Sequence, residues 1–181
     1  VWRHWVDESR DEPYVHDSDR KREVIVQFLY PADVADDAEP APYFENRADF
    51  MPVFTALLEA AVNLKLETQP GDLDSFQSYS YPDAAMSGDQ ASYPVLIFSH
   101  GGAADVRMYT TQIEEMASHG YIVAAINHTY GASVTVLLDG TVAIPTYDTG
   151  FEGAANDWSA DQIFVMDQLE ALNADDPDGF F

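Results

Sequence analysis

The chain has 181 residues, 46% of them hydrophobic and 13% aromatic, a globular composition with enough apolar material for one domain's core. Its 32 Asp and Glu against 8 Lys and Arg give a formal net charge of −24, a field that repels nucleic acid and anionic membranes. Cysteine is absent, which excludes disulfides, thiolate metal sites and a cysteine nucleophile.

The acids favour Asp over Glu, and Lys21 and Lys65 are the only lysines. Two readings follow: a surface adapted to high salt, where screening weakens self-repulsion, or an ordinary acidic surface on a secreted or bacterial protein. The first is the expectation, which points to a salt-adapted prokaryote and leaves secreted and cytoplasmic locations open. The leading stretch VWRHWVDESR has no apolar stretch of the kind a signal peptide carries, and the chain does not start at Met. It therefore reads as a trimmed or partial product. No apolar run has membrane-spanning length.

In chain order, REVIVQFLYP (22–31) alternates polar and apolar residues and ends at a proline, the pattern of a strand. ADVADDAEPAPY is an acidic loop, in which Asp33, Asp36, Asp37 and Glu39 lack the glycine and closing Glu of a calcium loop. MPVFTALLEAAVNLKL (51–66) predicts a helix with Pro52 in its first turn. The next 27 residues, ending at Tyr93, read as loop. YPVLIFSH is a short continuous apolar run of the kind buried on both faces of a sheet. Residues 105–120 predict a helix with Val106, Tyr109, Ile113 and Met116 on one face and Gly120 at its end. YIVAAINH (121–128) is a second buried-type strand, so strand, helix and strand form a βαβ unit with parallel strands. Asp139-Gly140 marks either a hairpin or an irregular excursion. Residues 157–173 are the clearest helix, with Ile163, Val165, Met166, Leu169 and Leu172 as packing positions. The whole of 1–181 reads as part of one domain.

Chemistry concentrates where the first apolar run ends, at Ser99-His100-Gly101-Gly102-Ala103. Ligands of α/β sheets sit beyond the carboxyl ends of the strands. Glycines there let backbone N–H groups approach a ligand, and fixed donors stabilise a developing oxyanion by roughly 3–4 kcal/mol each. The same string also suits a plain strand-to-helix turn.

The stretch YPVLIFSHGGAADVRMYTTQIEEMASHGYIVAAINHTYG resembles the core of the platelet-activating-factor acetylhydrolase family, particularly its bacterial members. DESRDEPYVHDSDRKREVIVQFLYPA resembles that family's leading segment, and DWSADQIFVMDQLEALNADDPDGFF the segment before its nucleophile. The match is weaker from about Asp33 to Ser92. The resemblance implies an α/β-hydrolase fold with a mostly parallel, doubly wound sheet, incomplete in this chain. It implies a serine esterase acting on short or modified acyl esters, phospholipid-type esters among them, with no metal or organic cofactor. It places an oxyanion-hole N–H on Gly102, where many members carry a bulkier residue, so Gly102-Ala103 implies a looser loop or wider pocket. Gly101, Ala103, His128 and Tyr130 become substrate-binding candidates, with Ser99 and His100 as structural support. A relative acting on polyesters or dienelactones and a non-catalytic binding module remain as alternatives.

The family's nucleophile lies in Gly-x-Ser-x-Gly on a sharp strand–helix turn. Ser133, in Gly131-Ala-Ser-Val-Thr135, lacks the second glycine, and Ser99, Ser118 and Ser159 have no such context. Nucleophile, acid and base are therefore expected beyond Phe181, in a C-terminal remainder that partners this segment, since half of a doubly wound sheet leaves a long edge uncovered. The partners expected are that remainder and a small ester or lipid substrate.

Among the remaining residues, Arg107 is expected in a structural ion pair and His119 at a helix C-terminus. His128 and Tyr130 either line the pocket or anchor the loop. His4, His16, Asp7, Asp11 and Asp17 lack tight metal-ligand spacing and read as solvated loop. Phe44, Phe50, Phe54, Tyr79 and Tyr81 are either an acyl-pocket lid or ordinary core.

Overall fold

Antiparallel pairing dominates the sheet. In the computed structural model, which describes residues 1–15, 19–44, 47–63, 65, 76–146 and 150–176, four strands lie in the order β1-β2-β6-β5. Strand β1 (Trp2–Asp11) pairs antiparallel with β2 (Lys21–Leu29), β2 antiparallel with β6 (Ile122–Asn127), and only β6 with β5 (Val95–Ser99) is parallel. The expected mostly parallel sheet is thus corrected to a mixed one within these residues. Nine residues separate β1 from β2, too few for the crossover that parallel pairing needs, which makes the pair antiparallel.

The longest strand, β1, went unread in the sequence because charges break its alternation, although Trp5 and Trp2 pack against the two core clusters. The βαβ unit is present: β5 leads through a 3₁₀ turn (Val106–Tyr109) into helix α2 (Thr110–Ser118) and back along β6. Asp105 caps the turn, its carboxylate accepting the Arg107 N–H at 3.0 Å. Gly120 follows the helix with φ of +89°.

Helices cover both faces, which is why β6 is a nearly continuous apolar run. On one face Val106, Ile113 and Ala117 pack against Leu29, Val123 and Ala125. On the other, Val165 of helix α3 (Gly150–Ala174) joins Val24, Val26, Phe28, Ala124 and Ile126, with Phe164 and Leu169 alongside. Ile163 and Met166 are corrected from packing positions to exposed ones, and Phe164 takes the place beside Val165. Helix α3 begins at Gly150, seven residues earlier than expected.

Helix α1 (Arg47–Val62) likewise starts early, so Pro52 sits inside it rather than in its first turn. Two-residue strands β3 (Ala32–Asp33) and β4 (Ala85–Met86) pair outside the main sheet. Asp139-Gly140 lies in a true hairpin, β7 (Thr135–Val136) against β8 (Val142–Ala143), though with a five-residue connection. The expected loop at 66–75 lies outside the described residues.

Candidate active site

Strands β5 and β6 are parallel and end together, so His100 and His128 meet just past their carboxyl ends. Strand β2 runs the other way, and its start brings Arg22 to the same end; the end of β1 brings Arg10, with Glu12 just beyond. Helix α3 crosses this end and supplies Trp158, Asp161 and Gln162.

The loop 101–104 is a tight turn. The Ala104 N–H donates to the Gly101 carbonyl at 3.1 Å, the Ala103 N–H to the Gly131 carbonyl at 3.0 Å, and the Gly101 N–H to Tyr109 Oη at 3.4 Å. Ala103 adopts φ of +55°, a left-handed conformation usually taken by glycine. Gly101, Gly102 and Ala103 are all exposed. Gly102 is the one residue of this turn whose N–H has no acceptor among the described residues.

Behind the turn lies a buried polar chain. His128 Nδ1 is 2.9 Å from Asp161 Oδ2, and His128 Nε2 is 3.0 Å from Ser99 Oγ. The ionised Asp161 only accepts, so Nδ1 carries the ring proton and Nε2 takes the Ser99 O–H. Gln162 Nε2 donates to the same Ser99 Oγ at 2.8 Å. Asp161 also receives Arg22 through Nε at 3.1 Å and Nη2 at 2.7 Å, and Arg10 Nη2 at 2.8 Å. Arg22 Nη1 continues to both Glu12 oxygens, at 3.2 and 3.1 Å, and to the Thr129 carbonyl at 3.0 Å. The indole of Trp158 stacks on the His128 ring, centroids 4.4 Å apart and planes within 4°.

Burial determines the protonation states. Arg22, His128 and Asp161 have no exposed surface. Burial opposes ionisation of Asp161, but the Arg22 charge and the hydrogen bonds from His128 and Arg22 outweigh it and hold the carboxyl well below the usual carboxylate range. Burial lowers the His128 pKa despite Asp161. Burial first, then the neighbouring His128, pushes His100 down to about 4. Burial raises the Glu12 pKa against the pull of Arg22.

The expected site residues take the following places. His128, a substrate-contact candidate, is fully buried, with both ring nitrogens hydrogen-bonded. Tyr130, half-buried at φ of +59°, packs its ring 5.7 Å from Tyr14. His100 is 3% exposed and bonded through both nitrogens, to the His128 N–H at 3.1 Å and the Gly101 carbonyl at 2.7 Å. Arg107 forms the expected ion pair, a two-pronged one with Asp105 at 2.6 and 2.7 Å. His119 caps the end of α2. Asp161, Arg22, Gln162 and Trp158 were not singled out from sequence; the signal for Asp161 was an acid among the apolar positions of an amphipathic helix, four residues before Val165.

His4, Asp7 and Asp11 lie on β1, not in a solvated loop: His4 faces Glu23 at 2.6 Å, Asp7 holds Arg10 at 2.6 Å and Asp11 holds Lys21 at 2.7 Å. His16 and Asp17 lie outside the described residues, as does the side chain of Phe50. No metal-holding group of His, Cys, Asp or Glu occurs among the described residues. Tyr79 and Tyr81 line a cavity of about 220 Å³ with Leu29, Tyr30, Glu114 and Ser118. That cavity lies at the far end of α2 and of the sheet from Gly102, so these two tyrosines do not cover the loop.

Comparison with known proteins gives the family and the fold. The ferulic acid esterase of Streptomyces cinnamoneus superposes with a TM-score of 0.67 at 26% identity, over 92% of this chain and 44% of that one. The platelet-activating factor acetylhydrolase of Gallus gallus is 33% identical over 86 residues, 48% of this chain and 18% of the relative. The chain thus spans less than half the length of either protein. The sequence profile of the family described as "Platelet-activating factor acetylhydrolase, isoform II" matches residues 13–145. The chain belongs to that family and has an α/β-hydrolase-like fold.

Proposed function

We propose that this chain is the portion of a serine carboxylic-ester hydrolase that carries the oxyanion loop and one wall of the pocket. The substrates are short or modified acyl esters, phospholipid-type esters among them. A serine outside this segment attacks the ester carbonyl, and a histidine oriented by an acid takes its proton. The carbonyl oxygen becomes an oxyanion held by the Gly102 N–H and by a second N–H next to the nucleophile. The alcohol departs with the proton, and water then releases the acid from the acyl-serine. The observation that carries the reading is the Gly102 N–H, without an acceptor among the described residues and set in an exposed turn at the carboxyl end of the parallel pair β5 and β6.

Gly102→Pro removes that N–H. In the complete polypeptide kcat is expected to fall roughly 10²- to 10³-fold, the effect of losing one such donor. Unchanged kcat in a folded variant refutes the assignment.

The Ser99–His128–Asp161 geometry supports a second reading, in which Ser99 itself is the nucleophile. Three features weigh against it. Ser99 closes a regular strand in register with Ile126 rather than standing on a strained turn. Its Oγ already accepts from Gln162, and Trp158 seals the face of His128. A fluorophosphonate that tags activated serines separates the two readings: the tag is expected on a serine outside residues 1–181, and a tag on Ser99 refutes the first.

A further inference from the structure

Both ring nitrogens of His100 have partners whose roles are fixed. The backbone N–H of His128 only donates, so Nε2, 3.1 Å away, is an acceptor. The Gly101 carbonyl only accepts, so Nδ1, 2.7 Å away, carries the proton. That carbonyl also receives the Ala104 N–H. The peptide is trans, so the Gly102 N–H lies on the side opposite the Gly101 oxygen and points away from the imidazole. The His128 N–H is itself held in place. Its residue is gripped by Ser99 and Asp161 at the two ring nitrogens and by Trp158 on the ring face, and Asp161 is clamped by Arg22 and Arg10.

We infer that His100, locked as its Nδ1–H tautomer by the pinned His128 backbone, is the positioning residue that turns the Gly102 N–H toward substrate. The geometry stands by itself; its catalytic consequence rests on the ester-hydrolase reading. A doubly protonated ring would set Nε2–H against the His128 N–H and break the lock. The titratable and charged groups that face the ring are His128 at the end of β6 and Asp105 at the start of the 3₁₀ turn. Among the described residues helix α3 offers the ring the Trp158 indole, its centroid 5.1 Å away, and Asp161 stands behind His128. Burial keeps His100 neutral at pH 7.

Two variants of the complete polypeptide separate positioning from bulk packing. His100→Asn places an amide N–H near the Nδ1 position and retains a donor for the Gly101 carbonyl. His100→Gln carries its amide out to the Nε2 end and leaves that carbonyl without one. The expected result is a roughly 100-fold loss of kcat for His100→Gln with KM changed less than about threefold, and recovery of about tenfold or more in His100→Asn. Equal kcat in the two variants overturns the positioning role. A long-range ¹H–¹⁵N spectrum of the unmutated protein tests the lock directly and needs neither a folded variant nor activity. His100 is expected as a neutral Nδ1–H ring from about pH 5 to 8; an Nε2–H or cationic ring at pH 7 overturns the lock. Should the spectrum hold while the complete polypeptide hydrolyses no ester, the ester-hydrolase reading fails and the tautomer assignment survives.

Discussion

Acidification should destabilise this fold well before its carboxylates titrate, and His100 supplies a measurable share. In the unfolded chain its imidazole titrates near 6.5, whereas in the fold burial and His128 push it down to about 4. Between these values the unfolded state binds the extra proton, so stability rises with pH in this window. The contribution is complete above 6.5, is lost as pH falls toward 4, and changes no further below that. One proton is worth about 1.4 kcal/mol per pH unit, so His100 alone removes about 2 kcal/mol between pH 7 and 5. The assay is urea unfolding of the complete polypeptide at fixed salt across that range, for the wild type and His100→Asn. The variant loses stability at every pH, because a buried ring is gone, but its curve should be flatter by about that 2 kcal/mol. Carboxylates and the other histidines titrate in both proteins and cancel in the difference. Parallel curves would mean that His100 is not held neutral in the fold, and the reasoning from burial would be wrong.

The charge cluster behind the loop gives a second test. Asp161→Ala leaves the fully buried Arg22 with Glu12 as its remaining carboxylate and removes the His128 anchor; a loss of about 3–5 kcal/mol is expected in denaturant unfolding. A loss under about 1 kcal/mol would show that water or Glu12 takes over the charge. Salt gives a third. With a net charge of −24, screening should raise the melting temperature steadily from low to molar NaCl or KCl, and equal or greater stability without salt would refute salt adaptation.

What the sequence made legible follows from how many physical signals each residue carried. Strand β6 and helix α2 were readable because burial on two faces writes an unbroken apolar run, and because Gly120 marks the helix end; β5 shows the same apolar run although it is the sheet's edge and only partly buried. The Ser99–Gly102 string stood out because a serine, a histidine and two glycines follow an apolar run, a pattern that suits a plain turn as well as a ligand loop. Strand β1 was not readable, since an edge strand that uses Arg10 and Asp7 as network members has no clean alternation to display. The polar chain was hidden for a deeper reason. Arg22 and Asp161 are far apart in sequence, and each looks like an ordinary surface charge until antiparallel β2 and crossing helix α3 bring them to His128 at one end of the sheet. Burying them is unfavourable one by one and tolerable only together: Asp161 satisfies Arg22 and His128 at once, and Arg22 in turn satisfies Glu12 and the Thr129 carbonyl. Such a network favours one arrangement of α3 over the sheet, because sliding the helix by a residue would strand a buried guanidinium. The loop in front therefore inherits a fixed backing, and an exposed glycine N–H can face outward without the turn collapsing to satisfy it.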